Sequence, residues 1–281
     1  MNTYIYYAMF EDCINLQYAP KLPAKKVLIY AYARMFIYCN SLREAPELPA
    51  TEIRSSCYNA MFAKCAGLLK APDKLPAMTV ASTCYQEMFS GCKSLKKAPE
   101  LPATTLAAGC YNSMFVNCFA LEDFQDTLPA IDVNLSQVYM NMFTRCFSLK
   151  KAPKLPALVI GSQAYASMFN YCTSLKKAPE LPALNGGTSC YNAMFNYCSS
   201  LEEAPEEIPI KTIGDSAFTS MFAQCYELKN LPKLKVESGV ATFYYGMFNN
   251  CLEAGYDGVY VVPKIATSTA TPRSLLQKYA L

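Results

Sequence analysis

Residues 84–103 read CYQEMFSGCKSLKKAPELPA, and this stretch contains the features that recur along the chain. The Met88-Phe89 pair is followed by a cysteine three residues after the phenylalanine. This Met-Phe-x-x-Cys sequence occurs ten times in the 281 residues. The methionines of successive pairs lie 26, 26, 27, 26, 28, 26, 26, 27 and 26 residues apart. Such a sustained period is typical of a solenoid, in which each unit buries its apolar face against its neighbours.

The first half of the unit has the apolar spacing of a helix. The recurring apolar residues from Cys84 to Leu95 lie at offsets 0, 1, 4, 5, 8 and 11. This spacing predicts one face of an α-helix of about two to three turns. Because so short a helix is marginal alone, its stability would have to come from packing.

The second half of the unit reads Leu-x-x-Ala-Pro-x-Leu-Pro, as in Leu95 to Pro102 and Leu175 to Pro182. Proline cannot donate a hydrogen bond to a sheet. We therefore predict an extended segment with about two to four residues in parallel pairing. A Thr/Ala/Ser-rich return stretch, such as 104–109, then leads to the next unit.

The spacing of the two halves predicts the shape of the array. Extended segments stack ~4.8 Å apart, whereas helices need about 10 Å. The predicted fold is therefore an α/β, curved solenoid of about ten 26-residue units. Its short helices would lie on the convex side and its extended parallel segments on the concave side.

We predict one domain, with the repeat array over residues 1–253 and a capping segment over 254–281. Residues 255–263 suggest a turn into a final strand, and 271–281 a short helix that starts at Thr271-Pro272. The first unit has no such cap, so Ile5, Met9 and Phe10 would be covered on one side only. We expect this N-terminal face to dock on an upstream segment, another subunit or a virion protein.

The chain has fourteen cysteines and no histidine. Ten cysteines follow the Met-Phe pairs, and Cys57, Cys84, Cys110 and Cys190 begin their units. Equivalent cysteines would lie a helix diameter apart, beyond the ~7 Å reach of a disulfide. We expect them to be small buried hydrophobes. Without histidine, Ser-His-Asp and Cys-His catalysis and mixed zinc sites are excluded, so we expect no catalytic residue, cofactor or metal.

Composition narrows the partners further. Charged residues make up 17% of the chain and the net charge is +3, which gives no electrostatic case for binding nucleic acid. No apolar run reaches the ~18 residues of a membrane span, so we expect no membrane insertion. Residues 1–7 lack the features of a secretory signal peptide.

Charged residues alternate in blocks between successive extended segments. They could set the register of stacked units, each exposed pair contributing ~0–1 kcal/mol, or they could form a binding wall. In the second case Lys150, Lys151, Lys154, Lys176 and Lys177 would be its positive centre. We call the whole set the charged wall: Lys96, Lys97, Glu122, Asp123, Lys150, Lys151, Lys154, Lys176, Lys177, Glu202 and Glu203.

The repeat resembles that of the BspA-like (Treponema-type) bacterial leucine-rich repeat surface proteins, in the Met-Phe variant found in gut Bacteroides and their phages. The usual unit of that family reads Ala-Phe-x-x-Cys-x-x-Leu-x-x-Ile-x-Leu-Pro. Residues 88–102 have Met-Phe-x-x-Cys-x-x-Leu-x-x-Ala-Pro-x-Leu-Pro at those positions. The resemblance implies a curved α/β solenoid and adhesion or protein binding at a bacterial or virion surface. It carries over no catalytic residue.

We therefore expect a non-enzymatic interaction protein that recognises a protein or a glycan at a bacterial cell surface. It would act as part of the cell envelope or of a phage virion. The alternative is a structural or assembly component of a phage particle, in which the ends of the array, rather than its concave wall, make the contacts.

Overall fold

The computed structural model describes residues 4–239, 243–251 and 253–254. Over these residues the chain winds into coils that stack in sequence order, and we number the coils 1–10 by their Met-Phe pairs. Each coil has three parts: a turn side that carries Met-Phe, a wall that carries Leu-x-x-Ala-Pro-x-Leu-Pro, and a return stretch. The solenoid predicted from the repeat is confirmed.

The predicted helix is wrong, because the described residues form no helix. In its place the turn side is a run of overlapping β-turns. In coil 2, Ala33 donates its N–H to the carbonyl of Tyr30 and Met35 donates to Tyr32, each three residues back. Every fourth residue has a positive φ, as Tyr30, Arg34 and Tyr38 show with 55°, 57° and 63°. Arg34 is the third residue of the turn from Tyr32 to Met35, and a positive φ there is the mark of a type II turn.

The intervening amides of the turn side bind the next coil. The N–H of Phe115 donates to the carbonyl of Met142 at 2.9 Å, and Asn117 donates to Thr144 at 2.9 Å. Every Phe of a Met-Phe pair from Phe10 to Phe222 makes the equivalent bond, at 2.8–3.0 Å. A helix would have used these N–H groups internally. The turn side satisfies them between coils instead, and so draws the coils together.

Short parallel strands pair the return stretches, and two of the strands lie in the wall. The strands are β1 (Lys26–Val27), β2 (Glu52–Ile53), β3 (Asp132–Val133), β4 (Val159–Ile160), β5 (Asn185–Gly186), β6 (Glu207–Ile208), β7 (Thr212–Ile213) and β8 (Lys233–Leu234). They pair in the orders β1-β2, β3-β4-β5-β7 and β6-β8. The parallel pairing is confirmed, but most of it lies in the return stretch rather than in the extended segment. Elsewhere the wall pairs through single bridges such as Lys97 with Asp123 and Lys177 with Glu203.

Aromatic rings form two continuous columns inside the array. Phe89, Phe115 and Phe143 stack with centroids 5.7 Å apart, and Tyr85 and Tyr111 stack at the same distance in the second column. These spacings are close to the ~4.8 Å between paired strands. The helix spacing of about 10 Å, on which the prediction of curvature rested, is therefore absent from the described coils.

The Met-Phe-x-x-Cys cysteines from Cys39 to Cys251 have a structural role that follows from this close stacking. The thiol of Cys146 donates to the carbonyl of Phe115 in the preceding coil at 3.2 Å. The same carbonyl accepts the N–H of Cys118 within its own coil. The thiol therefore donates the second hydrogen bond that this buried carbonyl accepts. An alanine at the same position would be apolar too, but it has no group that could donate this bond.

The predicted strand over 255–263 and the predicted helix over 271–281 lie outside the described residues. The boundary between the array and a capping segment at residue 254 stays a prediction.

The turn geometry predicts an unusual response to glycine. Ala193 has a φ of 50°, where a side chain costs about 1–2 kcal/mol. Ala193→Gly removes this strain and costs about 0.5–1 kcal/mol of backbone entropy. We expect the free energy of unfolding to stay equal to the wild-type value or to rise by up to about 1 kcal/mol, as measured by thermal or urea denaturation.

Ala166→Gly is the matched control, because Ala166 is buried and its φ is not positive. This change should lower the free energy of unfolding by about 1–2 kcal/mol, through backbone entropy and the loss of a buried methyl group. Equal destabilisation of both variants by about 1 kcal/mol is the result for a helix and would contradict the turn geometry.

Candidate functional site: the charged wall

In the wall, the leucine and alanine side chains point into the core and the charged side chains point to solvent. Leu149 and Leu155 are buried in the core on either side of Lys150, Lys151 and Lys154, which are exposed. Because single bridges hold equivalent residues of successive coils in register, each charge lies beside its counterpart one coil away. The wall is therefore a rigid array of polar side chains on a packed support.

Five of the eleven residues of the charged wall form ion pairs across coils. Lys177 binds Glu203 at 2.6 Å, and Lys176 binds Glu202 at 2.9 Å. Glu202 also binds Lys229 at 2.6 Å, so that it lies between two ammonium groups from the coils on either side. The prediction that opposite charges on neighbouring units offset one another is confirmed at these positions.

The positive centre of the wall is only partly neutralised. Lys151 pairs with Asp126, a carboxylate that the sequence prediction did not include. Lys150 and Lys154 form no ion pair with any described residue, and neither do Lys96, Lys97, Glu122 and Asp123. Two unpaired lysines, Lys150 and Lys154, thus lie on the segment of coil 6, whereas the unpaired Lys97 of coil 4 lies beside the carboxylate-bearing Asp123 of coil 5.

The N-terminal face is the second predicted site. Ile5 and Met9 are 52% and 58% exposed, whereas Phe10 is half-buried and stacks on Phe36 with centroids 5.4 Å apart. Tyr4, Tyr6 and Tyr7 are also exposed. The structure thus brings the predicted residues together on one apolar end of the described array, and it adds three tyrosines that the sequence prediction missed.

The cysteine thiols lie in the core, with the exception of Cys13 in coil 1. All fourteen cysteines are free thiols, and thirteen of them are buried. The predicted separation of equivalent cysteines is wrong, since Cys57 Sγ and Cys84 Sγ lie 2.9 Å apart in neighbouring coils. Burial raises the pKa of the Cys39 thiol to about 11 and that of Cys118 to about 12. Thiolate chemistry is therefore suppressed in the core.

Two searches for other kinds of site concern the described residues alone. No group of three His, Cys, Asp or Glu side chains has the arrangement of a metal site there. That part of the chain also contains no helix that could span a membrane.

Exposed aromatic side chains on the turn side are a feature that the sequence prediction missed. Phe147, Tyr197 and Tyr226 are each more than a third exposed, and the first two stack on rings of the preceding coil. These residues directly precede or follow the cysteine of Met-Phe-x-x-Cys. Most other units have a small or polar residue at the same position, so the sequence itself contained this signal.

Comparison with known proteins identifies the repeat. The model of the BspA type leucine rich repeat region matches residues 61–178 and 111–254, with six copies. No curated protein matches the chain significantly. Leucine-rich repeat proteins are generally non-catalytic binding modules.

Solved structures of bacterial leucine-rich repeat proteins are also similar. A leucine rich repeat protein of T. pallidum is 19% identical, with a TM-score of 0.41 over 74% of this chain and 80% of that one. A leucine-rich repeat protein from Bacteroides ovatus is 18% identical, with a TM-score of 0.31 over 88% and 79% of the two chains. A leucine rich cell surface protein from Faecalibacterium prausnitzii is 16% identical, with a TM-score of 0.29 over 79% and 74%.

The Glu202 network predicts a pH dependence. Hydrogen bonds from Lys229 and Lys176 lower the pKa of Glu202 to about 2. Because the pKa is lowered in the folded state, the stabilisation is complete above the ordinary carboxyl pKa and is lost as the pH falls through about 2. The difference in thermal midpoint between wild type and Glu202→Gln should therefore shrink as the pH falls from about 5 to about 2.

Glu180→Gln is the control for this experiment, because Glu180 is an exposed wall carboxylate outside the ion pairs of the described residues. It should change the midpoint little at neutral pH. A Glu202 effect that stays constant down to pH ~2 would show that the two ion pairs do not supply it.

Thiol burial predicts a labelling pattern. A maleimide should label the native protein once, at Cys13, because Cys13 is the exposed thiol among the fourteen. Labelling in denaturant should reach all fourteen, as counted by mass spectrometry. Rapid native labelling of a Met-Phe-x-x-Cys cysteine other than Cys13 would contradict the closed core.

Proposed function

This chain belongs to the BspA-type leucine-rich repeat proteins, and on that premise we propose that it is a non-catalytic adhesion module. It recognises a protein or a glycan at a bacterial cell surface, as a component of the envelope or of a phage virion. The family supports a binding role in general, and the charged wall supplies the surface through which we propose it acts.

The observation that carries the proposal is that the inner coils bury their repeated residues and expose their variable ones. The aromatic and sulfur groups that recur in the units are buried in the inner coils, as Tyr111, Phe115 and Cys118 show. There they are engaged in stacking and in hydrogen bonds to backbone carbonyls, and Cys13 of coil 1 is the exposed exception among the thiols. What varies from coil to coil is the set of charges on the wall. Variable side chains on a rigid repeated support are the basis of recognition in solenoid proteins.

The location of the binding centre follows from the ion pairs. Charges held in neighbour-to-neighbour pairs are partly satisfied within the chain, whereas Lys150 and Lys154 have no such partner among the described residues. A carboxylate or sulfate group of a partner could form ion pairs with these two lysines without breaking an ion pair within the chain. We therefore centre the binding surface on coils 6 and 7, with Lys151, Lys176 and Lys177 around the two unpaired lysines.

A second candidate function has its own support. The exposed apolar residues Ile5 and Met9 form an end face that a stacked solenoid would normally cover. A structural or assembly component of a phage particle would make its contacts there. In that case the charges of the wall would serve only to set the register of the coils.

Charge reversal separates these two functions. Changing Lys150, Lys151, Lys176 and Lys177 to Glu should abolish binding of the fluorescently labelled chain to intact gut-bacterial cells, as measured by flow cytometry. Electrostatic repulsion would then replace attraction at the centre of the surface. A paired Ile5→Asp and Met9→Asp variant should bind the cells normally.

The matched control reverses four lysines outside the wall, Lys25, Lys26, Lys64 and Lys211, for the same change in net charge. It should retain binding. Equal loss of binding in both quadruple variants, with folding intact by circular dichroism, would show a non-specific charge effect. Loss of binding through the Ile5 and Met9 changes alone would favour the assembly function.

A further inference from the structure

We propose that the turn side of coils 4–9 carries a second binding surface, which recognises an acidic protein segment with apolar side chains. We call this surface the aromatic band. It comprises two stacks of exposed or partly buried side chains and one adjoining pair: Lys93, Phe119 and Phe147; Arg145, Tyr171 and Tyr197; and Gln224 with Tyr226.

The side chains of the band are held in place before any partner arrives. Phe119 and Phe147 stack with centroids 5.0 Å apart, and the ammonium of Lys93 lies 5.6 Å from the Phe119 centroid. Tyr171 and Tyr197 are nearly parallel at 5° and 4.4 Å, with the guanidinium carbon of Arg145 5.5 Å from the Tyr171 centroid. Side chains that are already ordered lose little entropy on binding, which favours affinity.

The coils do not need these aromatic residues for packing. The position of Phe119 and Phe147 is Ala66 in coil 3 and Ser199 in coil 8, and both coils are complete. Phe147 is 37% exposed, whereas the core phenylalanine of the same coil, Phe143, is fully buried. Large apolar groups that a fold does not require, and that cluster on its surface, mark an interaction site.

The backbone position of one stack is shared by all coils. Arg145, Tyr171 and Tyr197 have φ values of 61°, 60° and 59°. The equivalent residue has a positive φ in every described coil, and it is Gly91 in coil 4 and Asn117 in coil 5. The backbone conformation therefore belongs to the turn side in general, and the aromatic side chains are what distinguish the band.

The arrangement of the inner rings favours protein over glycan. Both faces of Phe119 are covered, by Lys93 on one side and Phe147 on the other, and both faces of Tyr171 are covered in the same way by Arg145 and Tyr197. A sugar ring needs an open aromatic face to stack on, which Phe119 and Tyr171 do not offer. The Tyr, Phe and Arg side chains of the band are of the types enriched at the centres of protein interfaces.

Charge complementarity gives the chemistry of the partner. Lys93 and Arg145 are exposed and form no ion pair with any described residue. The positive charges of Lys93 and Arg145, one at the end of each stack, would attract carboxylates of a partner. The ring edges beside them would contact apolar side chains of the same partner. A segment that combines acidic and apolar residues satisfies both.

The test is a selection from a displayed library of random dodecapeptides on the immobilised wild-type chain. Peptides that combine Asp or Glu with apolar residues should be enriched. The synthetic peptides should then bind the Phe147→Ser/Tyr197→Asn double variant at least about tenfold more weakly than wild type. Both replacements are residues that the same columns already contain, Ser199 and Asn117, so the fold should tolerate them.

Two controls make the result specific. Tyr38→Asn changes an exposed tyrosine of the same column in coil 2, beside Asp12 and Lys64 rather than in a stack, and should bind the peptides as wild type does. The lysine-reversal variant of the charged wall should also bind them, which keeps this test separate from the adhesion function. No enrichment, enrichment of peptides without acidic residues, or equal binding by the double variant would overturn the proposal.

Discussion

The hydrogen bonds from the turn side of each coil to the next are the constraint on which the rest of the structure depends. Alternate amides close turns within the coil, and the others reach the neighbouring coil, as Phe115 does to Met142. These bonds fix the separation of the coils at the value of paired strands. At that separation Phe and Tyr rings stack face to face, and a thiol reaches the carbonyl of the preceding coil. The repeated Met-Phe-x-x-Cys sequence is therefore what a stack of closely spaced turns requires.

The sequence predicts the solenoid, its period and its buried residues because these follow from the repeat itself. It does not separate a helix from a run of four-residue turns, since apolar offsets of 0, 4 and 8 fit both over so short a segment. The distinguishing signal lies in the residues with positive φ. Gly91, Gly109, Asn117 and Asn141 occupy the positive-φ positions that recur every four residues within a coil, and Thr83 is the one β-branched side chain among the positive-φ residues of the described chain.

For the candidate sites, too, the sequence predicts some features and misses others. The charges of the wall are visible in the sequence, but whether Lys150 is paired or free depends on side-chain geometry. The pairing of Lys151 with Asp126 arises from an inserted segment that interrupts the repeat. The aromatic band was missed because Tyr197 and Phe147 lie at offsets 7 and 9 of their units, outside the recurring apolar positions that define the repeat. On a stack of closely spaced turns these side chains are partly exposed and stack on the rings of the preceding coil.

The spacing of the phenylalanine column tests the central claim most directly. In a sample with ¹³C-labelled phenylalanine, nuclear Overhauser effects should connect the rings of Phe89, Phe115 and Phe143 in sequence, because their centroids lie 5.7 Å apart. Stacked helices would separate equivalent rings by about 10 Å. Absence of these ring-to-ring effects in a folded sample, together with helical backbone chemical shifts across 109–117, would contradict the account.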